Sequence, residues 1–215
     1  MEYQAKTAYQ QKQVVNQYDQ RRFQNLKGKI TNWMELRLIG RALKYVNILP
    51  PARILDIPCG TGRLSEYLLQ KGYSVEGADI SPEMVRYTNQ RLKGYVSRNA
   101  DIARVENAEE LSFPDATFAA AVSLRLFGHT PPENRLRVIN ELKRVSQSYL
   151  ILVYYDRNSL VGMTRQAGRR KRGISWHPVS AAEIDGELKR AELEIINVFH
   201  LLRGLSETKV VVARI

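Results

Sequence analysis

The chain has 215 residues, 44% hydrophobic and 26% charged, and 33 Lys and Arg against 22 Asp and Glu give a formal net charge of +11. That balance belongs to a globular chain long enough to bury one sizeable core. No apolar run approaches the ~20 residues that cross a bilayer, the opening MEYQAKTAYQQKQVV lacks a secretory core, and a single cysteine, Cys59, excludes an internal disulfide framework. A cytoplasmic setting is therefore expected. The positive surplus draws anionic partners, whether nucleic acid, phosphorylated metabolites or lipid headgroups, or else it is a solvated surface with no specific anion.

The first fifty residues read as helical. Residues 8–24 lack the alternation of a strand, Gly28 interrupts them, and a second helix is expected to open at Asn32, with Glu35 three residues on as a capping box. Leu36, Ile39, Leu43 and Val46 follow at helical spacing. From residue 53 short apolar runs alternate with amphipathic stretches. Strands are expected at 53–57, 73–78, 102–106, 117–124, 148–155, 193–202 and 209–215, with helices at 62–71, 82–92, 133–145 and 181–191. Gly72 stands where a glycine ends a helix, Ser81-Pro82 supplies an N-cap followed by a proline in the first helical position, and Ser180 with Glu183 forms a second capping box. Val138, Leu142 and Val145 form the inner stripe of the helix before the fifth strand.

Strands separated by helices of this length imply βαβ units and a mainly parallel sheet. Only residues 203–208 separate the last two strands, too few for a parallel crossover, so those two must run antiparallel. The fold class is α/β, doubly wound. Residues 1–215 are expected to form one domain: a helical cap (1–49), a ligand-binding core (50–155), a basic insertion (156–179), and a C-terminal helix and hairpin (180–215). Residues 156–179 read as an irregular stretch, and a loop of that length is functional or disordered.

The sharpest local signal is Ile54-Leu55-Asp56-Ile57-Pro58-Cys59-Gly60-Thr61-Gly62. An apolar strand ends on a carboxylate and passes through a glycine turn into a helix whose N-terminal N–H groups face the same spot. In an open α/β sheet, ligands bind beyond the carboxyl ends of the strands. A dinucleotide fold asks for G-x-G-x-x-G, but Ser65 holds the third position, and Asp56 would face a pyrophosphate with negative charge. A carboxylate there suits a cationic ligand, such as the ammonium group of an amino acid. Asp79 ends the second strand, where it suits a ribose diol.

These residues carry a resemblance. Asp56-x-x-x-Gly60-x-Gly62, then Val75-Glu76-Gly77-Ala78-Asp79-Ile80-Ser81-Pro82-Glu83-Met84, then Asn107-Ala108-Glu109-Glu110-Leu111-Ser112-Phe113-Pro114-Asp115 resemble, in order, three motifs of the class I S-adenosylmethionine-dependent methyltransferases. The resemblance covers about residues 50–155. It implies seven strands in the order 3-2-1-4-5-7-6 with the seventh reversed, in agreement with the terminal hairpin. It places Asp56 near the amino acid portion of the cofactor, Gly60 and Gly62 in the turn beneath it, Asp79 on the ribose hydroxyls, and Ile80 and Met84 against the adenine. Thr61, Ala108 and Ser123 fall among its cofactor-binding positions. The family usually has aspartate where this chain has Asn107, whose amide oxygen still accepts a hydrogen bond from the adenine amino group; Asp101 is its rival for that role. A second departure is Ala119-Ala120, where the family often opens its fourth strand on an acidic residue.

The segment Ser123-Leu124-Arg125-Leu126-Phe127-Gly128-His129-Thr130 follows the fourth strand. His129 is the candidate general base for an acceptor of high pKa, against a merely loop-organising role. Arg125 is a candidate for binding an acidic acceptor, against a surface ion pair. Tyr18-Asp19 resembles the tyrosine-bearing helix that closes over the cofactor in small-molecule methyltransferases. Tyr18, Arg125 and Trp176 are therefore the expected acceptor-binding residues. Arg165, Arg169, Arg170, Lys171 and Arg172 form a basic run suited to phosphate, carboxylate or an anionic headgroup, or a solvated charge run. No N-P-P-Y-like motif follows the fourth strand, which sets aside that type of amide or base N-methylation. The only cysteine sits in the cofactor loop, which sets aside cytosine C5-methylation, and no metal-ligand spacing occurs. The expected activity is methyl transfer to a small-molecule acceptor, an anionic one included. An RNA methyltransferase using the basic run is a less favoured alternative, and a non-catalytic cofactor-binding protein is the third.

Overall fold

The computed structural model describes residues 25–95, 102–170 and 176–215. Its elements are α1 (Leu26–Tyr45), β1 (Arg53–Asp56), α2 (Arg63–Gln70), β2 (Ser74–Asp79), α3 (Pro82–Leu92), β3 (Ala103–Val105), β4 (Phe118–Ser123), α4 (Pro132–Val145), β5 (Ser146–Tyr155), α5 (Leu160–Arg170), α6 (Ala181–Arg190), β6 (Glu194–His200) and β7 (Thr208–Arg214). The strands form one seven-stranded sheet ordered β3-β2-β1-β4-β5-β7-β6. Every pairing is parallel except those of β7, which runs antiparallel to β5 and β6. The carboxyl ends of β1 to β6 thus share one edge of the sheet.

Alternation along each strand sends side chains to opposite faces. Leu55, Ala121, Leu150, Leu152 and Val211 point to one face and meet α4 and α6 through Val138, Leu142, Ile184 and Leu188. Ile54, Val122, Ile151, Val153 and Val210 point to the other and meet Leu36, Ile39 and Leu43 of α1 and Leu64 and Leu68 of α2. Both faces are covered, so the central strands are apolar on both sides, as a parallel sheet requires. α3 packs on β2 and β3.

Local chemistry sets most element ends as the sequence predicts. The Ser81 hydroxyl accepts from the Met84 N–H and caps α3, Ser180 and Glu183 close a full capping box on α6, and Gly72, at φ 86°, follows the C-cap of α2. Two expectations are corrected. No helix opens at Asn32: α1 begins at Leu26, capped by Asn25, and runs through Gly28. Asn32 instead accepts from the Arg63 guanidinium at 3.0 Å, and Glu35 turns inward. The stretch 156–179 is not irregular throughout, since α5 occupies Leu160–Arg170. Tyr18-Asp19, Asp101 and Lys171-Arg172 lie outside the described residues.

One buried ion pair ties the α4–α6 face together. Arg135 of α4, fully buried, donates to Glu187 of α6 at 2.9 Å, to the Thr130 carbonyl at 3.0 Å and to the His177 carbonyl at 2.6 Å. Tyr154 donates its hydroxyl to the other Glu187 oxygen at 3.2 Å, and burial pushes its phenol far above the ordinary range. Removing one partner of such a pair leaves an uncompensated buried charge, at a cost of about 3–5 kcal/mol. Arg135→Ala should lower unfolding stability by about that amount in urea titrations, while Ser180→Ala, which removes only a helix cap, should cost about 1 kcal/mol.

Candidate active site

The loop leaving β1 is pinned between its neighbours. The Ile57 N–H donates to the Val122 carbonyl of β4 at 3.0 Å, and the Cys59 N–H donates to the Ala78 carbonyl of β2 at 2.8 Å. The turn then takes left-handed backbone at Gly60 (φ 54°) and Gly62 (φ 76°), a conformation costly for side chains with a Cβ. The two glycines do different work. A Cβ at Gly60 would meet nothing within 4 Å, so its backbone borders open space, whereas a Cβ at Gly62 would press on the Thr88 methyl at 3.0 Å. Gly62 serves close packing of the turn on α3.

That open space is a cleft at the carboxyl edge of the sheet. Asp56, Gly60, Thr61 and Asp79 line one part of it, Ile80, Met84, Asn107 and Ala108 another, and Leu124, Arg125, Leu126 and His129 a third. Asp79 is held by two loops: one carboxylate oxygen accepts from the Ser81 N–H of its own at 2.9 Å, and the other from the Gly60 N–H of the turn after β1 at 2.9 Å. Asp56 accepts from the Ser65 hydroxyl at 2.6 Å through one oxygen. Its other oxygen is buried without a hydrogen-bond partner, and a buried acceptor in that condition is costly unless a ligand donates to it. Burial pushes the Asp56 carboxyl up to about 7, against the Ser65 hydrogen bond, with the Asp79 charge adding to the rise. Burial likewise pushes Asp79 up to about 6, against the N–H donors of its turn. The donor set fits a cation at Asp56 and apolar matter against Ile80 and Met84.

The far part of the cleft is built from the segment after β4. Arg125 has left-handed backbone, at φ 71°, and its guanidinium pairs with Glu35 of α1, a nearly buried carboxylate. The His129 N–H closes a turn on the Leu126 carbonyl at 2.9 Å, and its ring meets the edge of Trp176 with centroids 4.9 Å apart. Trp176 also packs on Tyr155 at 4.7 Å, and the following His177 N–H bonds the Gly128 carbonyl at 2.9 Å. A Cβ at Gly128 would lie 2.3 Å from the Trp176 ring, so only glycine lets the indole seat there.

Comparison with known proteins gives the family. Residues 54–148 match the family model described as a methyltransferase domain. A ubiquinone biosynthesis O-methyltransferase of Xanthomonas oryzae pv. oryzae is 30% identical over 173 residues, covering 74% of this chain and 71% of that protein. The chain belongs to the class I S-adenosylmethionine-dependent methyltransferases. A phosphatidylethanolamine N-methyltransferase of Cereibacter sphaeroides is 30% identical over 137 residues, 61% of this chain and 66% of the relative. In fold, the chain is similar to the magnesium protoporphyrin IX methyltransferase of Synechocystis PCC 6803 with bound SAH, at TM-score 0.75 and 20% identity, over 95% of this chain and 99% of that one. This methyltransferase is an enzyme whose cofactor is S-adenosylmethionine.

The structure brings most of the sequence-predicted residues of the methyltransferase to one cleft, from Asp56 at one part to His129 at another. Gly62 and Ser123 do not line it: Gly62 faces Thr88, and Ser123 lies buried one residue short of Leu124. Asn107 reaches the cleft but spends its amide oxygen on the Glu109 N–H at 3.2 Å, an Asx-type turn that leaves one lone pair for a ligand. Trp176 is not among the cleft-lining residues; it meets His129, which is, and borders a neighbouring hollow with Arg135 and His177. Sequence reasoning missed three residues. Ser65, the departure from a dinucleotide fingerprint, orients Asp56; Glu35 holds Arg125; and Glu106, after β3, lines the cleft while accepting from the Ser112 N–H at 3.0 Å. Only Ser65 had a sequence signal, its place in the first turn of the helix after the glycines.

The raised carboxyls set a pH dependence for the cofactor-free protein. Both groups bind their protons more tightly folded than unfolded, so their contribution to stability is complete below about pH 4 and lost as pH rises through 6 to 7. Asp56→Asn should flatten that fall, read as a smaller drop in urea midpoint between about pH 5 and pH 8.

Proposed function

We propose that this methyltransferase transfers a methyl group to a small-molecule acceptor, with His129 taking the acceptor proton. The observation that carries the reading is the run of one cleft from a buried, half-unpaired carboxylate, Asp56, to a histidine, His129. In this reading Asp56 receives the cofactor ammonium, Asp79 the ribose hydroxyls, and Ile80, Met84 and Ala108 flank the adenine. Gly60 offers bare backbone between them. Bound there, S-adenosylmethionine supplies an electrophilic methyl carbon on a sulfonium.

What remains for the protein is alignment and proton removal. Leu124 and Leu126 keep water from the acceptor end, and holding reactants in attack geometry supplies up to ~7–11 kcal/mol of the barrier. An acceptor hydroxyl or amine loses a proton as it gains the methyl group. His129 stands at that end of the cleft, its ring set edge-on by Trp176. The names of the relatives, for phosphatidylethanolamine and for ubiquinone biosynthesis, support a small organic acceptor. Arg125 is assigned a positioning role through its pair with Glu35, which joins α1 to the cleft wall.

Asp79→Ala should weaken S-adenosylmethionine binding at least tenfold, about 1.4 kcal/mol by calorimetry; unchanged affinity would overturn the cofactor assignment. A protonated Asp56 cannot pair with an ammonium, so affinity should rise as pH climbs through 6 to 7, and Asp56→Asn should weaken and level that profile. His129→Ala should keep the cofactor affinity and lose about 10²–10⁴ in kcat. Full turnover in that variant would end its role as base.

A further inference from the structure

Residues 157–182 contain Arg157, Arg165, Arg169, Arg170, Lys171 and Arg172 and no acidic residue. The first part of this stretch is seated on the last hairpin. The Leu160 N–H donates to the Gly204 carbonyl at 3.2 Å and the Val161 N–H to the Leu205 carbonyl at 3.1 Å, so α5 starts against the β6–β7 turn. Gly162 makes that seat close, since a Cβ there would lie 2.1 Å from the Asp156 carbonyl. Arg165 anchors the next turn by pairing with buried Glu207.

The outward side is apolar where water is. Leu160 and Met163 of α5 are 58% and 53% exposed, and Leu202 and Leu205 of the turn are 51% and 52% exposed. Arg203 stands exposed between the two turn leucines. Leu160 and Met163 share a face at i, i+3 spacing, and the hydrogen bonds above bring them beside Leu205. Because β5 and β6 run in the same direction, this patch lies on the same edge of the sheet as the cleft.

We infer that this surface docks on a bilayer containing anionic lipid. Protruding leucine and methionine side chains enter the boundary of headgroups and acyl chains, while the exposed Arg203 between the turn leucines meets lipid phosphates. A second copy of the chain is disfavoured as occupant, because two chains each carrying a net charge of +11 repel. RNA is disfavoured because the exposed patch offers aliphatic side chains and no aromatic platform for bases. Docking would set the mouth of the cleft toward the membrane. The inference rests on this surface alone and stands apart from the role given to His129.

The test is co-sedimentation of the full chain with vesicles of phosphatidylcholine alone and of phosphatidylcholine with about one third phosphatidylglycerol. Binding to the mixed vesicles is expected, at least tenfold tighter than to the neutral ones and weakened by salt. The double variant Met163→Asp with Leu205→Asp should lose at least tenfold of it, while its melting temperature and S-adenosylmethionine affinity stay unchanged, since both positions are exposed. No vesicle binding, or equal binding to both compositions, would overturn the inference. So would anionic binding untouched by the two aspartates, a preference for RNA over vesicles, or a dimer that the double variant breaks.

Discussion

The hydrogen bond from the Gly60 N–H to the Asp79 carboxylate, beside that from the Cys59 N–H to the Ala78 carbonyl, joins the two strand ends on which the candidate site is built. It ties the turn after β1 to the end of β2, so the turn carrying the glycines and the carboxylate at the next strand end move as one piece. Asp56 sits at the other end of the same turn, held by Ser65. The arrangement is costly. Two carboxylates are taken out of water at neighbouring strand ends, and burial raises both toward neutrality. A fold keeps such a site only where a ligand returns the lost interaction, and the unpaired Asp56 oxygen marks where a cationic ligand would do so.

The sheet makes this economical. Parallel strands deliver their carboxyl ends to one edge, so β1, β2, β3 and β4 each contribute to the same cleft without long excursions of chain. Ion pairs then fasten the surrounding helices to that edge. Glu35 of α1 reaches Arg125 behind the cleft wall, and Arg135 of α4 holds Glu187 together with the carbonyls of Thr130 and His177, which flank His129 and Trp176 in sequence. The aromatic contact of His129 with Trp176 thus rests on a buried guanidinium on the far helix layer. Altering Arg135 would disturb both the core and the contact of His129 with Trp176.

The same edge carries chemistry of a second kind. Where the cleft needs buried polar groups, the β6–β7 turn and the start of α5 present leucines and a methionine to water beside arginines. Apolar exposure of this sort is tolerated where a partner covers it. Among the described residues, this patch shares the sheet edge with the cleft and contributes no residue to its lining.

What the sequence determined by itself is what short-range chemistry controls. Hydrophobic period distinguished strands from helices, Gly72, Ser81-Pro82 and Ser180 with Glu183 punctuated them, and the short link before the last strand required β7 to reverse. The glycine turn flanked by Asp56 and Asp79 was legible because backbone of that shape needs glycine and because strand ends in such a sheet converge. What only the tertiary structure decided are relations between residues far apart in the chain. Asn32 and Glu35 look like a helix start, yet they are spent on Arg63 and Arg125, since the helix already opens at Leu26 and its interior leaves no free N–H for a cap. Ser65 reads as a broken fingerprint until Asp56 is seen against it, and the stretch 156–179 reads as loop until the hairpin turn supplies the surface on which α5 forms. Sequence spacing governs neighbours along the chain; partners from other elements are chosen by the desolvation that packing imposes, and no local pattern records them.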